Sequence, residues 1–114
     1  MRQLLKTTAL ILSAITLAAC SQDKNGACFE HPDRFATDLE TGARNANPIG
    51  SRTATVIQYC KQRQLIIVQQ GGHIYCTAES HRGLSRCAVT LDFHFAANGN
   101  LETIEIGKPY VKEP

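Results

Sequence analysis

The segment from Cys87 to Phe95 leaves the chain the least freedom. Cys87, Val89, Leu91, Phe93 and Phe95 alternate with Ala88, Thr90, Asp92 and His94, and a period of two describes a strand with one buried face. Asn98-Gly99 follows, a pair suited to a tight hairpin turn in which both turn positions take positive φ. A two-residue loop there sets Phe93 against Ile104 and Leu91 against Ile106, so apolar side chains meet on one face. Turn chemistry and hydrophobic pattern select the same register. Pro109 ends the hairpin.

Upstream of this strand the period changes. Pro32 suits a first helical position, Asp33 favours the positive end of the helix dipole, and Phe35, Ala36 and Leu39 share a face, which predicts a helix over 32–43. Thr41-Gly42 weakens it and Asn45-Ala46-Asn47-Pro48 breaks it. Ser51 can accept from orphan backbone donors as an N-cap. Ala54, Val56, Ile57 and Cys60 then form an apolar face, giving a second helix over 52–63 with Cys60 turned inward. Leu65 to Val68 is β-prone, Gln70 to His73 reads as a turn, and Ile74 to Ala78 resumes as strand. Glu79 to Arg86 reads as a polar loop. The expected class is α+β: one or two short helices packed on a three- to four-stranded antiparallel meander, stapled by disulfides.

The first 20 residues have another character. Arg2 and Lys6 form a positive start, a mostly apolar run from Ala9 to Ala19 follows, and the run ends in small residues. That is the layout of a secretory signal peptide. The run is shorter than the roughly 20 residues that span a bilayer. Leu17-Ala18-Ala19-Cys20 resembles the lipobox of bacterial lipoproteins. The resemblance implies a diacylglycerol on the Cys20 thiol, cleavage just before it, and anchoring to a membrane. Two or three acyl chains, at roughly 0.8 kcal/mol per buried methylene, hold firmly where one chain is reversible. Ser21 and Gln22 follow the anchor with no aspartate directly after it, which resembles sorting to the outer membrane. The expected organisation is a leader at 1–19, a lipidated polar tether at 20–27 and a single domain at 28–114.

Cleavage of the first 19 of the 114 residues leaves 95 and removes two of the 12 basic side chains, so 10 face 10 acidic ones. A neutral mature chain gives no electrostatic reason to bind nucleic acid. Four cysteines remain after Cys20, namely Cys28, Cys60, Cys76 and Cys87. An even number in a small exported chain reads as a disulfide framework, and staples help a domain of this size, which buries a modest core. Four cysteines allow three connectivities. Cys76 and Cys87 share strand parity with inward residues and flank the expected loop, which favours Cys76–Cys87 together with Cys28–Cys60.

Pro48-Ile49-Gly50-Ser51 leading into a helix, and Phe93 to Leu101 as strand–turn–strand, resemble the small outer-membrane assembly lipoproteins of the SmpA/OmlA type. The resemblance covers about a quarter of the mature chain and implies an α+β lipoprotein scaffold. The chain departs from that pattern in lacking the Gly-x-Pro after the helix pair and in adding four cysteines.

Residues able to carry chemistry are few. His73, Cys76, His81 and Cys87 offer two imidazoles and two thiols, but their spacing matches no common zinc pattern and export favours disulfides. Ser80-His81 and Ser85 lack a nucleophile elbow. Glu102 and Glu105 fall on opposite strand faces by parity, while Asp92 and His94 share the polar face, where they can form a pH-sensitive pair. No catalytic, metal or cofactor site is expected, and the protein is not expected to be an enzyme. The expectation is a monomeric lipoprotein of the cell envelope, on the periplasmic side of the outer membrane, binding an envelope protein as an accessory or scaffold subunit. The alternative is an inhibitor or immunity-type lipoprotein that blocks a periplasmic or incoming enzyme. The polar sheet face and the segment Glu79 to Arg86 are the expected recognition surface.

Overall fold

The computed structural model describes residues 24–114. Cys20, its leader and the start of the expected tether lie outside the described residues. Among the described residues three helices precede the sheet, α1 (Lys24–Glu30), α2 (Pro32–Ala46) and α3 (Thr53–Gln62). Five strands follow, β1 (Ile66–Gln70), β2 (His73–Arg82), β3 (Ser85–Phe95), β4 (Leu101–Ile106) and β5 (Tyr110–Lys112). The strands form one antiparallel sheet in the order β1-β2-β3-β4. Long β3 pairs with β4 through Leu91–Phe95 and with β5 through Arg86–Ala88. The architecture is α+β, with the helices on one face of the sheet.

Both helices expected from periodicity form, with altered ends. α2 starts at Pro32 with Asp33 in its first turn. It then continues through Thr41-Gly42 to Ala46, because Ala36 and Ala43 are buried on its inner face. Packing of an amphipathic face outweighs the local propensity of one glycine. Gly42 has room for more. A Cβ there would sit 3.6 Å from Tyr59 Oη and 4.0 Å from Arg63 Nη2, ordinary contact distances. Gly42→Ala is therefore expected to raise stability by about 0.5–1 kcal/mol through helix propensity, measured by urea denaturation.

Ser51 does not cap α3. Its hydroxyl donates to the Pro48 carbonyl at 2.6 Å, and Arg52 occupies the N-cap position without a side-chain cap. The entry to α3 is held by the backbone instead: Gly50 N–H donates to Leu101 O and Leu101 N–H to Ser51 O, each at 2.8 Å. Residues 24–27, expected within a tether, belong to α1.

The β3–β4 register is the one read from the sequence, with Leu91 opposite Ile106 and Phe93 opposite Ile104. Its turn is built differently. Gly99 takes positive φ (86°) and Asn98 does not. Gly99 N–H donates to Ala96 O and Ala96 N–H to Asn100 O, each at 2.9 Å, so three residues form the loop, in the type I plus glycine-bulge pattern. The ladder steps from Phe95↔Leu101 to His94↔Thr103 and leaves Glu102 bulged out. That extra residue restores the register the hydrophobic pattern demands.

The segment 79–86 is not a loop. β2 and β3 pair without interruption from His73↔His94 to Arg82↔Ser85, leaving only Gly83-Leu84 as the turn. Gly71 and Gly83 each take φ of 60° at the first turn position, the type II′ arrangement that matches strand twist.

The core has two lobes between helices and sheet. One joins Val56, Tyr59 and Cys60 of α3 to Ile74, Cys76, Leu91, Phe93, Leu101 and Ile104. The other joins Cys28 of α1 and Ala36 of α2 to Cys87 and Val89. Leu39 and Ile106 pack against both.

Candidate functional site

The four cysteines sit inside these lobes, one bridge in each. Cys28 is bonded to Cys87 and Cys60 to Cys76, with Cα separations of 6.1 and 6.3 Å. The expected pairing, Cys76–Cys87 with Cys28–Cys60, is thereby corrected. Cys76 stands opposite Leu91 and Cys87 opposite Ser80. The two cysteines are thus four ladder steps apart, about 14 Å at the strand rise, whereas bridged cysteines seldom exceed about 7 Å between Cα atoms. Each strand cysteine instead bonds the helix cysteine directly above it.

Because Cys76 and Cys87 face the helices while His73 and His81 occupy the alternate positions of β2, the four residues considered for zinc do not converge. Among the described residues no three His, Cys, Asp or Glu side chains are placed to share a metal ion. Lipidation at Cys20 lies outside the described residues.

The face of the sheet turned away from the helices carries the densest set of polar side chains. The β2–β3 register alternates His73, Tyr75, Thr77, Glu79 and His81 with Arg86, Ala88, Thr90, Asp92 and His94. The His73 ring stacks between Tyr75 and His94, with centroids at 5.5 and 4.6 Å. Asp92 pairs with His73 rather than with His94: the imidazole Nδ1 donates to Asp92 Oδ1 at 2.8 Å. His94 lies 3.6 Å from Glu102. The β-bulge swings Glu102 to this face, while Ile104 and Ile106 turn inward and Glu105 lies opposite Asp92. The opposite-face assignment of Glu102 and Glu105, which assumed strict parity, is corrected by that bulge. The hydroxyls of Thr77 and Thr90 share a hydrogen bond of 2.9 Å. On the neighbouring edge strand, Ile66 and Val68 are half exposed and lie opposite Thr77 and Tyr75. The surface is an open sheet face: aromatic and imidazole rings at its centre, aliphatic groups at its β1 edge, and Asp92, Glu102 and Glu105 toward β4.

Nearer the Gly83-Leu84 turn, Glu79 accepts from Arg86 Nη2 at 2.7 Å and from His81 Nε2 at 2.8 Å. These hydrogen bonds, the arginine's first, hold the Glu79 carboxyl below its ordinary range. A carboxylate with a lowered folded pKa contributes stability that is fully present above its unfolded value and is lost as pH falls through the folded value. The difference in Tm between wild type and Glu79→Gln is therefore expected to be largest near neutrality and to shrink below about pH 4.3, read from thermal melts at stepped pH.

A cleft of about 660 Å³ opens between α2 and the end of α3, above β2, with Phe35, Leu39, Leu65 and Ala78 among its lining residues. Tyr59 borders it. Burial pushes its hydroxyl pKa up, partly offset by Arg63, whose guanidinium lies 5.4 Å from the ring centroid.

Of this surface, the sequence placed Asp92 and His94 on a polar face but missed His73 and Tyr75 as their neighbours. The available signal was the alternation His73, Tyr75, Thr77, Glu79, which continues the strand beyond Ala78. Comparison of the chain with protein-family models, with curated proteins and with solved structures finds no match.

Proposed function

We propose that this chain is a lipid-anchored protein of the bacterial cell envelope that acts by binding another protein, as an accessory or scaffold subunit, with its outer sheet face as the contact surface. The observation that carries the reading is the uncovered face itself: half-exposed Ile66 and Val68 border the ring stack of Tyr75, His73 and His94. Aromatic groups within a polar rim are the composition of recognition surfaces. The surface is an open sheet face rather than an enclosed cavity, which suits a macromolecular partner better than a small substrate. The anchor rests on the lipobox-like Leu17 to Cys20, and outer-membrane placement on the residues after it.

The test is site-specific photo-cross-linking in cells. A cross-linker at Val68 is expected to capture a discrete partner that one at Asp38, on the helical side, does not. Equal capture at both positions sinks the surface assignment. Capture of a periplasmic or incoming enzyme whose activity falls on binding replaces the scaffold role with an inhibitory one. Intact mass of the Cys20 peptide, beside a Cys20→Ala variant, tests the anchor separately.

A further inference from the structure

The end of the sheet formed by the β2–β3 turn carries an unusual surface, exposed apolar side chains beside the buried Cys28–Cys87 lobe. Leu84 at the tip of the turn is 84% exposed, and Tyr110 and Val111 on adjacent β5 are 51% and 41% exposed. β5 pairs with the start of β3, setting Lys112 opposite Arg86 and Val111 opposite Cys87. Arg86 lies over the Tyr110 ring at 5.6 Å. Arg82, one residue before the turn, lies over the Phe29 ring at 4.8 Å and forms no ion pair among the described residues. Glu79 neutralises part of Arg86, leaving Arg82 and Lys112 as the basic flank. An apolar tip, a tyrosine and long basic side chains are the groups that settle at a membrane interface. The aliphatic part enters the acyl boundary, the aromatic ring sits among headgroups, and the cationic ends reach water or phosphate.

The same end holds the chain's route to its anchor. α1 packs over it, with Cys28 bonded to Cys87. The backbone at Gly26 is close enough that a Cβ there would lie 3.6 Å from Arg82 Nη2. Cys20 is six residues before Gly26, a stretch that spans at most about 20 Å fully extended. A lipid on Cys20 therefore keeps the tip within reach of the bilayer. Ile49 is also exposed (63%), but it lies at the opposite end, beside the β3–β4 turn, where neighbouring Gly50 bonds Leu101.

We propose that the Leu84 end of the sheet, with Tyr110, Arg82 and Lys112, is a second membrane contact that docks on the bilayer holding the anchor. This inference rests on the anchored reading above. A single lipidated residue leaves a domain free to tumble. A second contact orients it, here with the sheet upright and the outer face presented sideways to proteins of the envelope.

The chain has no tryptophan, so Leu84→Trp and Ile49→Trp each supply a single reporter. The full-length, lipid-bearing protein is reconstituted on phosphatidylethanolamine–phosphatidylglycerol vesicles. Leu84→Trp is expected to shift its emission to shorter wavelength and to be quenched by lipids brominated on their acyl chains. Ile49→Trp is expected to keep the emission of a water-exposed indole and to escape quenching. Unshifted, unquenched emission from Leu84→Trp, or equal quenching at both positions, overturns the proposal. Mass spectrometry of the same samples separates the two readings. If the chain carries no lipid, the anchor fails, and the tip contact then stands or falls on whether added vesicles shift Leu84→Trp.

Discussion

Replacing Cys28 and Cys87 together by alanine is expected to cost about 4 kcal/mol and to release α1 from the sheet. The bridge joins residues 59 apart, and in the chain-entropy model a loop of that size restrains the unfolded chain by about 4 kcal/mol. The Cys60–Cys76 bridge closes only 16 residues, for which the same model gives about 3 kcal/mol. The two bridges also differ in what they hold. α1 has seven residues, far fewer than the roughly 12–15 at which isolated helices become even marginal. Its order depends on the lobe of Cys28, Ala36, Cys87 and Val89. Losing the first bridge should therefore remove hydrogen-exchange protection from α1 while β2 and β3 stay protected. Losing the second should lower protection across the sheet without singling out α1. Urea denaturation gives the magnitudes and exchange of the backbone amides gives the pattern. A Cys28/Cys87 variant with α1 protected as in wild type would show that packing, not the bridge, holds that helix.

The pairing of these cysteines was illegible for a specific reason. Which residues face each other across β2 and β3 depends on where the turn falls, and the polar stretch from Glu79 to Arg86 reads as a loop when it is scanned for apolar residues. In the sheet, Glu79, His81 and Arg86 are polar because they occupy the uncovered face, while Ser80 and Cys87 point to the helices. Gly83 alone marks the turn. Placing it there separates Cys76 from Cys87 and sends each to a helix. Where a strand was amphipathic the outcome differed. The alternation from Cys87 to Phe95 and the apolar positions of β4 predicted the Leu91–Ile106 and Phe93–Ile104 pairs, and even the altered turn kept that register by bulging Glu102. The stack of Tyr75, His73 and His94 follows from the same β2–β3 register and was hidden with it. His73 and Asp92 are 19 residues apart and become neighbours only when the hairpin is closed.

Phe93→Ala is expected to lose about 3–5 kcal/mol, the usual cost of deleting a buried aromatic ring and leaving a cavity. Phe93 is fully buried. It lies between Ile74 and Ile104 on the inner face, within the lobe that also holds Val56 and Leu101. A single domain of this size has a total stability of roughly 5–13 kcal/mol, so the variant should melt on the order of 20 °C lower. Val68→Ala tests the other side of the same sheet. Val68 is 51% exposed, and a surface truncation of this kind usually changes stability by less than about 0.5 kcal/mol. The two substitutions should thus separate folding from recognition. Phe93→Ala lowers Tm and cellular abundance, and under the proposed binding role whatever folded protein remains still gives the cross-link from the outer face. Val68→Ala keeps Tm and, with the cross-linker moved to Ile66 on the same face of β1, loses the cross-link. If Val68→Ala instead melts like Phe93→Ala, the outer face is structural, with Val68 supporting the fold rather than meeting a partner.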